Sequence, residues 1–333
     1  MDEEAIENIR ETSRNTLVLN RRKHRDEVAD VRRSMHSLRT NSDTITQIAN
    51  KLKTKAPISL PELNTLKNAL IDDPINVEVV LHTHGALRGL VREMTGHEAN
   101  KQCAAVGCIC NLALGDARAG YAVAKAAGPY LIAALDNLTT EYAVTSAWTL
   151  GNLAGSGPKA CDLLVSQGSI AKLTDLLISN NEDTREGVLY ALVRFAHQLR
   201  DEFRMEYLHR ILQTLPNLKM AASSQLLFIL SCHRDFTNHF ITEEFLLKIL
   251  RYLGVSIEKS IENPNIVYLF RFLANLNCIE VFSIVLSNLL ANNKVNVLKK
   301  LMETENVSDS VLWFLGNAYK CCSNHEFFAV LLR

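Results

Sequence analysis

One pattern recurs along this chain at nearly constant spacing, and it leaves few folds open. Anchored on an Asn, the matching segments are TLKNAL at Asn68, CICNLA at Asn111, TLGNLA at Asn152, ALVRFA at Arg194, ILSCHR at Cys232, FLANLN at Asn275 and FLGNAY at Asn317. The intervals between anchors are 43, 41, 42, 38, 43 and 42 residues. A period of that length suits a solenoid unit of two or three helices, which cannot bury its apolar faces alone and must stack on its neighbours. A second marker keeps the same register. Gly85-ALRGLV, Gly128-PYLIAAL and Gly168-SIAKLTDLL each put a Gly at an expected helix junction, followed by apolar residues three and four apart.

Composition fits such an array. At 333 residues the chain is long for one compact core, and 47% hydrophobic content with only 14 Gly and 7 Pro favours many short helices. Lys plus Arg and Asp plus Glu number 36 each, so overall charge provides no drive toward nucleic acid. Eight cysteines fall mostly at apolar positions, as expected of buried thiols in a reducing compartment. Cys108-x-Cys110 has no second pair and His82-x-His84 lies in a different segment, so no metal or other cofactor is expected. The longest apolar stretch, 267–290, is interrupted by Arg271, Asn275, Asn277, Glu280 and Asn288 and reads as two amphipathic helices rather than a membrane span. No glycine-rich phosphate loop, Gly-x-Ser-x-Gly elbow or HExxH motif occurs, so no enzyme is expected. Asp72-Asp73 and Glu182-Asp183 read as helix caps.

Two repeats carry a Trp one helical turn before the anchor: Trp148 with Asn152, and Trp313 with Asn317. Residues at i and i+4 share a helix face. An indole beside an amide can grip an extended peptide, the amide holding its backbone while the indole packs the stem and attracts the charge of a Lys or Arg. At the Trp position the other repeats carry Gly107, Tyr190, Phe228 and Arg271, and of these Tyr190 and Phe228 still offer an aromatic face. The candidate peptide-binding residues are therefore Trp148, Asn152, Asn111, Trp313, Asn317, Asn275 and Tyr190. For Arg194 and Cys232, which replace the Asn, a purely structural role is expected.

Ser146-AWTLGNLAG and the preceding Gly-x-Ile/Leu-x-x-Leu segments resemble the armadillo-repeat family. That resemblance implies an all-α, right-handed armadillo-repeat solenoid (superhelix) over residues 56–333, with about six to seven repeats. The last, His325-EFFAVLLR, reads as the opening of an incomplete one. Among armadillo proteins the Trp/Asn ladder is most similar to importin-α, in which it lines a concave groove for nuclear localisation peptides. That family places an acidic Gly-Asp-Gly loop after the Trp148-type helix; this chain has Gly155-Ser156-Gly157.

Residues 1–55 form the other expected unit, a basic, flexible helical arm. Residues 10–39 hold nine Arg or Lys against four acids. The segment Leu19-NRRKHRDEVADVRRSMHSLRTNS resembles the importin-β-binding arm of importin-α, with Arg21, Arg22, Lys23, Arg25, Arg32, Arg33 and Arg39 as its contact residues. The resemblance implies an adaptor that joins importin-β to cargo proteins, basic peptides among them, in nuclear import between cytoplasm and nucleus. The alternative is a general armadillo scaffold for a non-basic peptide or partner helix. No membrane partner is expected, and the arm's lack of stacking aromatics weighs against nucleic acid.

Overall fold

The computed structural model describes residues 42–217, 221–236, 241–276, 278–291, 295–321 and 328–329. The contact residues of the basic arm, Arg21 to Arg39, lie outside them, as does most of the segment expected to open an incomplete last repeat. Among the described residues every regular element is helical. The α-helices run in order α1 (Ser42–Thr54), α2 (Leu60–Asp72), α3 (Pro74–His82), α4 (Ala86–Met94), α5 (Ala99–Leu112), α6 (Ala117–Ala134), α7 (Thr140–Ala154), α8 (Pro158–Ser166) and α9 (Ser169–Leu176). They continue as α10 (Glu182–Leu199), α11 (Met205–Thr214), α12 (Ala221–Ser231), α13 (Glu243–Lys259), α14 (Pro264–Asn275), α15 (Ile279–Ala291), α16 (Val295–Met302) and α17 (Ser308–Cys321).

The repeat anchors sit at the ends of α2, α5, α7, α10, α12, α14 and α17, and each of these seven helices packs on the next. They form a ladder, and the remaining helices back it. Three units contain three helices: α3-α4-α5, α8-α9-α10 and α15-α16-α17. Two others contain two, because α6 and α13 each run unbroken where a helix pair would stand. This corrects the reading of Gly128 as a junction. Gly85 and Gly168 do start α4 and α9 with positive φ of 99° and 86°, a conformation that suits Gly. Gly128 and Pro129 instead lie inside α6. Gly128 faces the α8–α9 turn, where a Cβ would stand 2.3 Å from the flexible end of the Gln167 side chain.

Side-chain caps set the helix starts. Ser59 and Glu62 form a reciprocal capping box on α2, and Lys51 reaches Glu62 Oε1 at 2.5 Å. Asp73 Oδ1 accepts from Ile75 N–H at 2.8 Å, making Asp73 the cap of α3. Glu182 and Asp183 occupy the first turn of α10, whose cap is Asn181. The apolar stretch 267–290 divides between α14 and α15, and no helix among the described residues is long and apolar enough to cross a membrane.

One apolar core runs the length of the stack. It begins earlier than residue 56. Helix α1, which the sequence assigns to the arm, packs on α4 and buries Ile45, Ile48, Ala49 and Leu52. At the other end Phe314 meets Phe270 and Phe282 with ring centroids 5.7 and 5.6 Å apart. Cys108 and Cys161 are buried, and burial pushes both thiols up to about 12, so they stay protonated and unreactive at neutral pH.

Candidate functional site

The ladder gathers the sequence-derived candidates on neighbouring turns of successive helices. The asparagines act first as staples. Asn111 Nδ2 donates to Lys67 O at 2.6 Å, and Asn317 Nδ2 to Ala274 O at 3.0 Å. Asn152 Nδ2 donates to Cys110 O at 3.3 Å and contacts Cys110 Sγ at 3.2 Å. Asn275 Nδ2 donates to Ser231 Oγ at 2.8 Å and lies 3.2 Å from Cys232 Sγ. In every case the acceptor belongs to the residue just before the anchor of the preceding rung. Asn111 and Asn152 are buried; Asn275 and Asn317 are partly exposed.

The Trp position varies more, and the structure explains the variation. Trp148 and Trp313 are both half-buried, and Trp313 packs on the core. Tyr190 extends its hydroxyl one rung back and donates to Asn152 Oδ1 at 2.8 Å. Trp148, Asn152 and Tyr190 thus form one polar-aromatic unit across α7 and α10. At Gly107 the stem of Lys67 lies where a Trp would stand: a Cβ there would be 2.6 Å from Lys67 Cδ. Arg271 donates from Nε to Ser310 Oγ at 3.1 Å, and its Cζ lies 5.9 Å from the Phe228 ring. Burial lowers the Arg271 pKa from its ordinary value. Arg194 places Cζ 5.4 Å from the Tyr190 ring.

Three of the chain's own cations therefore occupy the ladder, and two of them face aromatic rings. Lys67 was not among the sequence candidates. Its signal was a Lys standing 40 residues, nearly one period, before the only ladder Gly at a Trp position. Over the last two turns of the seven ladder helices the chain has Lys67, Arg194, Arg271 and Lys320 against one acid, the exposed Asp72. Ser156, in the loop between α7 and α8, donates its hydroxyl to Leu153 O at 2.7 Å. Among the described residues no group of three or more His, Cys, Asp and Glu could hold a metal ion.

No protein-family model matches the sequence, and no curated protein matches it. Solved structures do. One engineered protein superposes with a TM-score of 0.63 at 19% identity, covering 83% of this chain and 68% of its own. A designed armadillo repeat protein gives a TM-score of 0.48 at 16% identity, covering 82% of this chain and 99% of its own. Another, solved in complex with the peptide (KR)4, gives 0.45 at 15% identity over 82% and 99%. The fold is an all-α solenoid of stacked helical repeats. At these identities the likeness concerns architecture alone, and the ladder's chemistry has to be read from this chain.

Proposed function

We propose that this chain is a non-catalytic interaction scaffold that holds an extended, non-basic peptide or a partner helix along its ladder face. The observation that carries this reading is the Trp148–Asn152–Tyr190 unit, a half-exposed indole beside a hydrogen-bonded amide on a continuous helical strip. Aromatic residues with a polar handle suit interfaces, where one face is covered and the other meets a partner. The ladder's own charges favour the non-basic choice. A Lys or Arg from a ligand would meet Lys67, Arg194 and Arg271 where it needs carboxylates and open aromatic faces. With only two Trp residues in the chain, Trp313→Phe leaves Trp148 as the sole indole reporter. In that variant, peptides from a charge-varied array should shift Trp148 fluorescence, and Trp148→Ala should abolish binding. Binding that survives Trp148→Ala, with no fluorescence change beforehand, would remove the ladder from the function.

A second reading, an importin-α-like adaptor acting between cytoplasm and nucleus, is supported by the sequence of the basic arm and by the two intact Trp/Asn pairs. It predicts salt-sensitive binding of importin-β through Arg21, Arg22, Lys23, Arg25, Arg32, Arg33 and Arg39. The comparison to make is the whole chain against one lacking residues 1–41. Cutting at 55 would also strip α1 from the core and confuse lost binding with lost folding. Equal binding of importin-β by both chains, or by neither, counts against this reading.

A further inference from the structure

Beside the Trp148–Asn152–Tyr190 unit, at the carboxy-terminal ends of α7 and α10, lies a cleft of about 540 Å³. Arg194 forms part of its wall. This side chain is only 7% exposed, and its Nε and Nη2 are buried without a hydrogen-bond partner. Among the described residues no carboxylate forms an ion pair with it, and its guanidinium lies over the Tyr190 ring. A buried guanidinium that lacks an anion is an unfavourable arrangement, and a ligand anion would relieve it.

The opposite wall adds a second favourable element. Pro158, the first residue of α8, lines the cleft, and the cap residue Gly157 provides no side-chain hydrogen bond to the helix start. The amino-terminal end of this nine-residue helix reaches the cleft at Pro158, which has no N–H, and brings there the positive end of the helix dipole. Ser156, the one hydroxyl in the loop, is bonded to Leu153 O instead. Gly155 keeps the approach to the guanidinium open: a Cβ there would sit 3.7 Å from Arg194 Nη1. The carboxylates at the cleft, Asp162, Asp201 and Glu202, are all exposed, and Asp201 accepts from the Arg234 N–H at 2.9 Å. Exposed charges are screened by solvent, whereas the Arg194 charge is not.

We propose that this cleft is an anion subsite of the ladder, in which Arg194 and the amino-terminal end of α8 receive a carboxylate- or phosphate-bearing side chain of the bound peptide. The proposal rests on the scaffold reading above and names its ligand class: an acidic peptide. A peptide rather than a free ion is favoured because Arg194 stands one helical turn beyond Tyr190, so the cleft continues the aromatic strip.

The test uses the whole chain and matched short peptides that carry Glu, Gln, phosphoserine or Lys at the centre of one neutral apolar sequence, with inorganic phosphate as a separate probe. Fluorescence anisotropy should show the Glu and phosphoserine peptides binding about tenfold or more tighter than the Gln peptide, the scale of a charge-assisted hydrogen bond. Arg194→Gln should erase that preference. Because Arg194 is buried, a second variant guards against misfolding. Gly155→Asp, at a position with φ of −79°, would place a carboxylate beside the guanidinium and occupy the site from within. It should lose the same preference while melting at or above the parent temperature.

Equal binding of the Glu and Gln peptides overturns the anion subsite and leaves the scaffold reading standing. A preference for Lys, or a Glu preference that survives both variants, overturns it too. So does inorganic phosphate binding at Arg194 with no accompanying peptide preference. If no peptide binds at all, the scaffold reading fails first.

Discussion

Asn152 is where the ladder's two roles meet. Its Nδ2 staples α7 to the end of α5, and its Oδ1 receives the Tyr190 hydroxyl. Removing one partner of a buried hydrogen bond leaves the other desolvated, which is more damaging than the loss of the bond itself. Asn152→Ala should therefore cost about 1–3 kcal/mol in urea unfolding, and Tyr190→Phe about 1. Combined, the two should be less than additive, because the Tyr190 hydroxyl has already lost its acceptor in Asn152→Ala. Strict additivity would mean that the bond contributes nothing in solution. The asparagine positions were legible from spacing alone. Their partners were not, since those lie 42 to 44 residues away and depend on how closely consecutive helices approach.

Glycines separate tight helix contacts from loose ones. At Gly107 a Cβ would meet only the flexible stem of Lys67, at 2.6 Å from Cδ. At Gly151 it would meet the α10 backbone, 2.9 Å from Ala191 Cα. Gly107→Ala should thus be neutral or stabilising by up to about 1 kcal/mol, the ordinary gain from replacing Gly within a helix. Gly151→Ala should destabilise by about 1–3 kcal/mol, because two packed helices must move apart. Thermal melts of the two variants decide this, and similar behaviour would contradict the α7–α10 contact. The start of α2 has a pH signature. Hydrogen bonds from Lys51, then from the Ser59 backbone and hydroxyl, lower Glu62 from its ordinary 4.5 to about 2. A carboxyl depressed by folding stabilises fully above its unfolded pKa and loses that contribution as pH falls through the folded value. The deficit of Glu62→Gln should be small at pH 7, under about 1 kcal/mol for so exposed a pair, and should shrink from pH 4.5 toward 2. A pH-independent deficit would point to packing instead. The Gly85 and Gly168 junctions and the Asp73 cap were readable from local rules, whereas Gly128 misled because a Gly inside a helix and a Gly at a junction look alike in sequence.

Across the whole molecule, stacked units share one core, so stability should depend on neighbouring interfaces rather than on any single repeat. A chain lacking residues 1–41 should melt like the parent. Removal through residue 55 should lower the melting temperature, because it uncovers the surface that Ile45, Ile48 and Leu52 bury on α4. Equal melting of both truncations would show that α1 is dispensable. The sequence by itself determined the period, the all-helical character, the ladder positions and a few of the helix starts. All of these follow from helical periodicity and capping, which act within a few residues. Only the tertiary structure decided that α1 belongs to the stack, that Lys67 covers Gly107, that the asparagines bond to the preceding rung, and that Arg194 is buried beside an uncapped helix start. Those facts depend on side chains a full period apart being brought within a few ångströms, and local spacing does not encode which of them will meet.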